Sequence, residues 1–359
     1  MDPAMLIPTA EALPAPWWIL EFLGMLTLTL HLLMINVVLG GSLITLFGRL
    51  SGREEIPAPG LPDVVAGKIP GTLAVAVTFG VAPLLFVQVL YGHFFYSSSV
   101  LMARYWIMVI PAVIIAYYSA YVTARKLRKN KALATFSLAV TSLLLLYVAF
   151  CIQNNISLMV QPEQWVRYFA NRSGTMLSTD HAVLWPRYLH FITASVAVAG
   201  LFSAIVWDFR RKRDIEGAEA GIKKGMGIFA VGTMIQIVIG FWLLIALPRD
   251  VMMLYMGQNM LYTITLFAAI VLAIAVIMTA VLGKLWHTVT LLVLTVVTMV
   301  MMRTFLRSGY LEQYFRIEDV ALEPQYGIFS LFLVTFVAGL VLVYLMFRWA
   351  FASGKEAAR

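Results

Sequence analysis

Two histidines, His31 and His190, lie inside long apolar segments of this chain. An imidazole within a membrane is costly unless it has a partner, so each residue is a candidate for a functional site. The chemistries that commonly explain such a histidine are proton transfer, metal binding and haem ligation. Which of the three applies decides most of what the sequence indicates about function.

The composition identifies the elements that must position these side chains. The chain has 359 residues, of which 61% are apolar and 12% charged, and its mean hydropathy is +0.87. A soluble domain has about 25% charged residues, so the sequence predicts an all-α, polytopic membrane helix bundle that forms one membrane domain over residues 1–359. The single cysteine, Cys151, excludes an internal disulfide, a cysteine-built cluster and a covalently attached c-type haem.

Nine segments are long and apolar enough to cross a bilayer, which takes about 20 apolar residues. The basic runs 125–131 and 210–213 lie between spans, and the positive-inside rule places both in the cytoplasm. The N-terminus is therefore expected outside and the C-terminus in the cytoplasm. The net charge of +8 then reflects topology, and no nucleic-acid partner is expected. The predicted spans are 18–48, 70–91, 101–124, 132–153, 183–208, 225–247, 259–282, 285–305 and 325–350.

The position of His190 favours a haem ligand. A rise of about 1.5 Å per helical residue puts it about 10 Å below the outer surface. Arg187 precedes it by three residues, nearer the surface. A b-type haem needs iron at the imidazole and its propionates at a guanidinium near the water edge. The alternative is a histidine hydrogen-bonded to a neighbouring helix.

The sequence leaves more than one role for His31 and for His93. His31 lies near mid-membrane and is followed by Gly40 and Gly41, a small patch that permits close approach of a helix or a flat macrocycle. It is either a ligand or a structural histidine bonded to Asn36 or a backbone carbonyl. His93, at the outer mouth of the second span, is a second axial ligand, a proton or quinol contact, or an interfacial histidine in an aromatic belt. His181 is expected to be solvated in an outer loop.

Four further side chains complete the candidate set. Methionine is the other neutral axial ligand, and Met260 begins the seventh span at about the depth of His190. Arg303 and Arg307 lie four residues apart at the outer end of the eighth span, where they face propionates or an anionic partner, or extend towards lipid headgroups. Glu21, ten residues before His31, is the candidate catalytic acid for proton handling.

Several short motifs carry a family resemblance. The first span around His31, the segments 79–82 and 91–96, and Gln153-Asn154 resemble subunit I of the cytochrome bd-type quinol oxidases. The resemblance implies that His31 ligates the haem at an oxygen site. It also implies that His190 and Met260 ligate a low-spin b haem, with Gln258 where the family has arginine.

The chain also departs from that family. Its third span, 107–121, lacks the buried glutamates of the family, and 299–303 contains no acid where a haem-ligating glutamate is expected. The outer quinol-oxidising loop shrinks to about 248–257. The resemblance therefore implies that haem sites are retained, while the quinol loop and the oxygen-site acids are absent.

Three functions follow. The first is a b-haem electron-transfer subunit of a respiratory complex in a bacterial or archaeal cytoplasmic membrane, which exchanges electrons with quinol or an outer c-type cytochrome. It would bind other membrane subunits, dock its redox partner on loop 155–182 and the Arg303/Arg307 rim, and leave a quinone site near His93 and Arg104. The second is a divergent bd-like terminal oxidase that reduces oxygen or another small molecule and uses Glu21. The third, a transporter or haem-free anchor, lacks support from an inverted repeat.

Overall fold

The computed structural model describes residues 2–51, 66–127 and 129–356, with side chains at all of these except 343, 346, 347, 349 and beyond. The described part is helical and contains no β-strand. Arg128, in the first of the two basic runs, lies outside the described residues. The predicted all-α class is confirmed.

Within the described residues, eight helices are long and apolar enough to cross a membrane, which confirms a multi-pass protein. A further helix, Tyr326–Glu356, has an apolar part from Tyr326 to Leu342. Whether it forms the ninth span, and which end of the bundle faces the cytoplasm, stay predictions. The helices are α1 Trp17–Leu50, α2 Ile69–Leu101, α3 Ala103–Lys126, α4 Lys131–Met159, α5 Leu184–Arg211, α6 Ala218–Ile245, α7 Met260–Val281, α8 Leu285–Leu311 and α9 Tyr326–Glu356.

The second helix is longer than its predicted span. It continues past Tyr91, whose backbone departs from helical geometry (φ −135°, ψ 31°), and ends at Leu101. The sequence of aromatic and small residues here reads as an outer turn, but the chain bends and resumes the helix. This bend at Tyr91 carries His93 and Phe94 beyond the expected end of the span.

Small residues allow α1 to approach α5 closely. A Cβ at Gly40 would overlap the backbone carbonyl of Ser195, so only glycine is tolerated at this crossing. Beside it, the Ser195 hydroxyl donates a hydrogen bond to the side-chain oxygen of Asn36, at 2.9 Å. The small patch predicted from Gly40 and Gly41 therefore serves helix packing, and Asn36 is bonded to α5 instead of to His31.

Candidate functional site

A cavity of about 370 Å³ lies among α1, α2, α3, α4, α5 and α8. This volume falls in the range of small-molecule and cofactor sites, about 300–1,000 Å³. Most of its lining is apolar. The polar groups on its wall include five of the residues predicted from the sequence, which come from three different helices: Glu21, His31, Arg187, Arg303 and Arg307.

One face of α1 forms a wall of this central cavity. Glu21, Met25, Leu28, His31 and Ile35 all line it. Their spacing of three or four residues puts them on one side of a helix. Glu21 and His31 are ten residues apart, about 15 Å along the axis. The wall therefore carries an acid at one level and an imidazole about three turns away.

The His31 ring is held by α2. Its Nδ1 lies 2.9 Å from the backbone oxygen of Ala76. A carbonyl only accepts, so Nδ1 carries the proton and Nε2 keeps its lone pair. No hydrogen bond joins Nε2 to another residue in the described ranges. The imidazole thus has one nitrogen fixed by the backbone and one available for a ligand, the arrangement common to metal-bound histidines.

Gly80 makes this position of the ring possible. A Cβ built on Gly80 would lie 2.8 Å from Cε1 and 2.9 Å from Nδ1 of His31, but 3.6 Å from Nε2. The Nδ1–Cε1 edge of the ring therefore presses against α2, and Nε2 points away from it. The only sequence signal for this role was the Phe79-Gly80 motif, and no spacing rule would have paired Gly80 with His31.

The charges on the cavity wall are unequal. Its lining residues include three arginines, Arg187, Arg303 and Arg307, and one carboxylate, Glu21, so the excess is two positive charges. No hydrogen bond or ion pair joins Arg303 to another residue of the described chain. Buried charge without compensation is costly. The wall is therefore suited to a ligand that carries about two negative charges.

Among the described residues, one ion pair lies in this cavity, and it is loose. A nitrogen of Arg307 lies 3.7 Å from Glu21 Oε1, and the two side chains are 17% and 16% exposed. The guanidinium also lies 4.0 Å from the centre of the Tyr91 ring. Glu21 Oε1 and Arg307 Nε are buried with no hydrogen-bond partner among the described residues. Both groups therefore retain capacity for a further polar ligand or water.

The cavity shows where two of the predicted arginines lie. Arg303 and Arg307 were expected at the outer rim, where they would face propionates or an anionic partner, or extend towards lipid headgroups. Both line the interior cavity, and Arg307 is largely buried beside Glu21. Their position favours an anionic ligand inside the cavity, and a docking face for an outer redox partner stays a prediction.

His190 faces a different neighbour. Its Nε2 lies 3.2 Å from Nε2 of Gln236 on α6, and a Cβ at Gly240 would lie 3.6 Å from its Cε1. Its Nδ1 is buried with no partner in the described chain. Arg187, one turn earlier, instead lines the central cavity and donates to Ser157 Oγ at 3.4 Å. The structure therefore separates the two residues that were expected to serve one haem.

Met260 and His93 also lie outside the cavity lining. Met260 begins α7 after a π-helical turn and Asn259, and its side chain is 78% exposed. The His93 ring packs between Phe94 and Phe315, with centroid distances of 4.3 and 4.7 Å. Ligation by the pair His190 and Met260, and a ligand role for His93, stay predictions.

No cluster of three or more His, Cys, Asp or Glu side chains that could hold a bare metal ion occurs in the described ranges. A haem does not require one, because the porphyrin supplies four nitrogens and the protein needs only one axial side chain. Haem ligation by His31 stays a prediction.

His181 is less solvated than expected. Its Nδ1 is buried without a partner in the described chain, and its ring centre lies 6.4 Å from that of Tyr310, a cavity residue. Burial lowers the pKa of His181 below its usual value of 6.5, and the positive charge of Arg187 adds to the effect. The residue therefore joins the loop before α5 to the wall of the cavity.

This environment predicts a pH effect on stability. Protonation of His181 is easier in the unfolded chain, so its contribution to folding is present above pH 6.5 and is lost as the pH falls below that value. We expect the melting temperature of the purified protein to fall below pH 6.5, and His181→Gln to reduce that fall. His287→Gln, at an exposed position, is the control. An unchanged pH profile in His181→Gln would show that this imidazole is not responsible.

Comparison with known proteins gives no relative: no family model, curated protein or solved structure matches this chain.

Proposed function

We propose that this chain binds a b-type haem in the central cavity, with His31 as an axial ligand, and acts as an electron-transfer subunit of a membrane respiratory complex. The observation that carries the proposal is the cavity itself. It combines an imidazole whose Nε2 is free with an excess of two positive charges. A haem has one iron to ligate and two propionates, so it matches both features.

The residues of the chain have distinct roles in this proposal. Ala76 fixes the tautomer and orientation of His31, and the apolar walls exclude water from the site. Arg187, Arg303 and Arg307 compensate the carboxylates of the cofactor. A bound haem would supply one-electron transfer at its iron. The protein contributes the ligand, the burial and the local charge, which together set the redox potential.

The wider assignment rests on motifs that resemble those of the cytochrome bd-type oxidases. On that basis we propose a bacterial or archaeal cytoplasmic membrane as the location, and other membrane subunits as neighbours. The electron partner in this proposal is quinol or an outer c-type cytochrome. Many large apolar side chains on the outward faces of α2, α3, α6 and α7 are exposed, as expected of a helix bundle that contacts lipid.

A second function is a divergent terminal oxidase that reduces oxygen or another small molecule. His31 is the only histidine among the residues that line the cavity. Neutral methionines, Met25 and Met159, also line it, but a haem with a single strong ligand keeps a coordination position for a small molecule. Glu21, at the other end of the α1 wall, would then handle protons.

The test is the spectrum of the purified, membrane-extracted protein. The proposal predicts a reduced b-type α-band and a pyridine haemochrome that reports at least one haem per chain. Addition of carbon monoxide separates the two functions. An unchanged reduced spectrum requires a sixth ligand, such as Met25 or Met159, and favours electron transfer. A shifted spectrum shows an open position and favours the oxidase. A colourless protein, purified from haem-replete cells with its native subunits, would rule out both.

The unequal charges predict opposite shifts in redox potential. Glu21→Gln removes a negative charge and should raise the midpoint potential of the haem, because the reduced iron is stabilised by a more positive surrounding. Arg303→Gln should lower it. One unit charge at about 15 Å and an effective dielectric of about 20 corresponds to a shift of about 50 mV. A spectroelectrochemical titration measures both, and shifts of the same sign would contradict the assigned charges.

A further inference from the structure

A second cleft, of about 420 Å³, lies between α6 and the ends of α5 and α7, next to the basic run 210–213. It is separate from the central cavity and shares no lining residue with it. Its rim is charged, with Arg211, Glu219 and Lys223, and its floor is apolar. A change from charge to hydrocarbon along one groove is the pattern of a phospholipid site at a membrane surface.

The polarity of this cleft changes along a single face of α6. Glu219 and Lys223 lie near the start of the helix, and Met226 and Ala230 follow on the same side. Lys223 and Ala230 are seven residues apart, so the groove continues for about 10 Å below the basic group. That depth is enough to accept the upper part of an acyl chain.

Two glycines keep the groove open. Cβ atoms built on Gly227 and Gly283 would meet no other atom within 4 Å, so the space beside them is not filled by the bundle. Gly227 lies in the middle of α6, where glycine costs about 1 kcal/mol relative to alanine. A side chain would fit at Gly227, yet the chain has glycine there and the groove stays unfilled. This space is consistent with a ligand site.

One basic group at the rim of the cleft is held by a hydrogen bond, and the other has no partner among the described residues. Arg211 donates a 2.6 Å hydrogen bond to the buried carboxylate of Asp208, which fixes the guanidinium at the rim. Lys223 makes no hydrogen bond or ion pair with another residue of the described chain. The first turn of α6 has no side-chain cap and contains Glu219, whose negative charge offsets the positive end of the helix. With Arg211 and Lys223, the lining of the cleft therefore carries a net charge of +1.

We propose that this cleft binds an anionic phospholipid, with its phosphate between Arg211 and Lys223 and one acyl chain along Met226 and Ala230. The site is independent of the haem proposal, because no residue of the central cavity contributes to it. Phosphatidylglycerol keeps the net negative charge of its phosphate, whereas the choline cation of phosphatidylcholine balances that charge within the lipid. The cleft therefore selects phosphatidylglycerol or cardiolipin over phosphatidylcholine.

Native mass spectrometry of the full chain, titrated with phosphatidylglycerol in detergent, tests this. The double variant Arg211→Gln/Lys223→Gln should weaken lipid binding about 30-fold, from about fivefold for each charge removed. The matched control, Lys129→Gln/Arg213→Gln, removes two exposed charges that do not line the cleft and should leave binding within about twofold. Equal loss in the two double variants would overturn the site.

A second variant covers the case in which loss of Arg211 destabilises the fold by exposing Asp208. Gly227→Leu fills the groove, keeps every charge and should reduce lipid binding at least tenfold. Unchanged binding in Gly227→Leu would contradict the acyl-chain position. Phosphatidylcholine bound as tightly as phosphatidylglycerol would contradict the charge selectivity. Displacement of the lipid by millimolar inorganic phosphate would overturn the proposal in favour of a site for free anions. Density for a partner helix in the groove would show that protein, and not lipid, occupies it.

Discussion

His31→Gly is expected to abolish the haem spectrum of the purified protein. The substitution removes the one histidine of the central cavity, and with it the Nε2 that would ligate iron. No other imidazole lines the cavity to take its place. We expect the haem-to-protein ratio for this site to fall at least tenfold, as measured by the pyridine haemochrome. Imidazole added to the medium should restore part of the absorption, because it can enter the space left by the ring.

Two matched histidine variants make this result specific. His190→Gly removes a buried imidazole that faces Gln236, and His287→Gly removes an exposed one at the start of α8. Both should retain the cavity haem. If the chain also carries the predicted low-spin haem, His190→Gly will remove that second component alone. Full absorption in His31→Gly, with loss only in His190→Gly, would transfer the site to His190 and contradict the cavity assignment.

Gly80→Ala is expected to weaken haem binding although it adds a single methyl group. The new Cβ would lie 2.8 Å from Cε1 and 2.9 Å from Nδ1 of His31, closer than such atoms approach. Either the ring moves or its hydrogen bond to Ala76 is lost. Loss of a partner that orients a ligating histidine typically lowers affinity 10–100-fold, and overpacking costs about 1–3 kcal/mol. The measurement is haem retention during purification and dilution.

Gly71→Ala on the same helix is the control. A Cβ at Gly71 would meet no atom within 4 Å, so this change should leave the spectrum intact and slightly favour the helix. Both variants should elute as folded monomers or complexes of wild-type size. Equal haem content in Gly80→Ala and wild type would show that the position of the His31 ring does not matter, and would remove the structural support for ligation.

The helices could be predicted because length and hydropathy determine what crosses a bilayer. Four of the predicted spans agree with their helices within three residues at both ends, namely 18–48, 101–124, 183–208 and 259–282. The largest difference is at α2, where Tyr91 bends the helix without ending it. In the sequence, an aromatic cluster that contains a glycine indicates a turn. In the structure, the packing of Phe94 and Phe95 in the core keeps the segment helical.

Residue type was enough to identify the candidate residues, but it did not show which of them lie together in the fold. Arg187 and His190 are three apart and were assigned to one haem, yet the first faces the central cavity and the second faces α6. An offset of three residues corresponds to about 60° around a helix, which is enough to separate two sites when helices pack on both sides. Periodicity gives the face of a helix, and only the neighbouring helix decides what that face contacts.

A hydrogen bond from His31 to a backbone carbonyl was one of the alternatives predicted from the sequence, but the identity of that partner and the contact with Gly80 were not predictable. Ala76 contributes a backbone oxygen and Gly80 contributes the absence of a side chain, and neither feature has a chemical signature. The inward direction of Arg303 and Arg307 was also not predictable, because arginines at the end of a span usually extend to lipid headgroups. Their proximity to Glu21 depends on the contact between α1 and α8.

The most direct test of the central claim is a cryo-electron microscopy map of the protein purified with its native subunits. The proposal predicts flat porphyrin density in the cavity between α1 and α2, joined to Nε2 of His31, with its carboxylates towards the three arginines. A map in which that space contains only lipid, water or repacked side chains, at a resolution that shows the His31 ring, would contradict it.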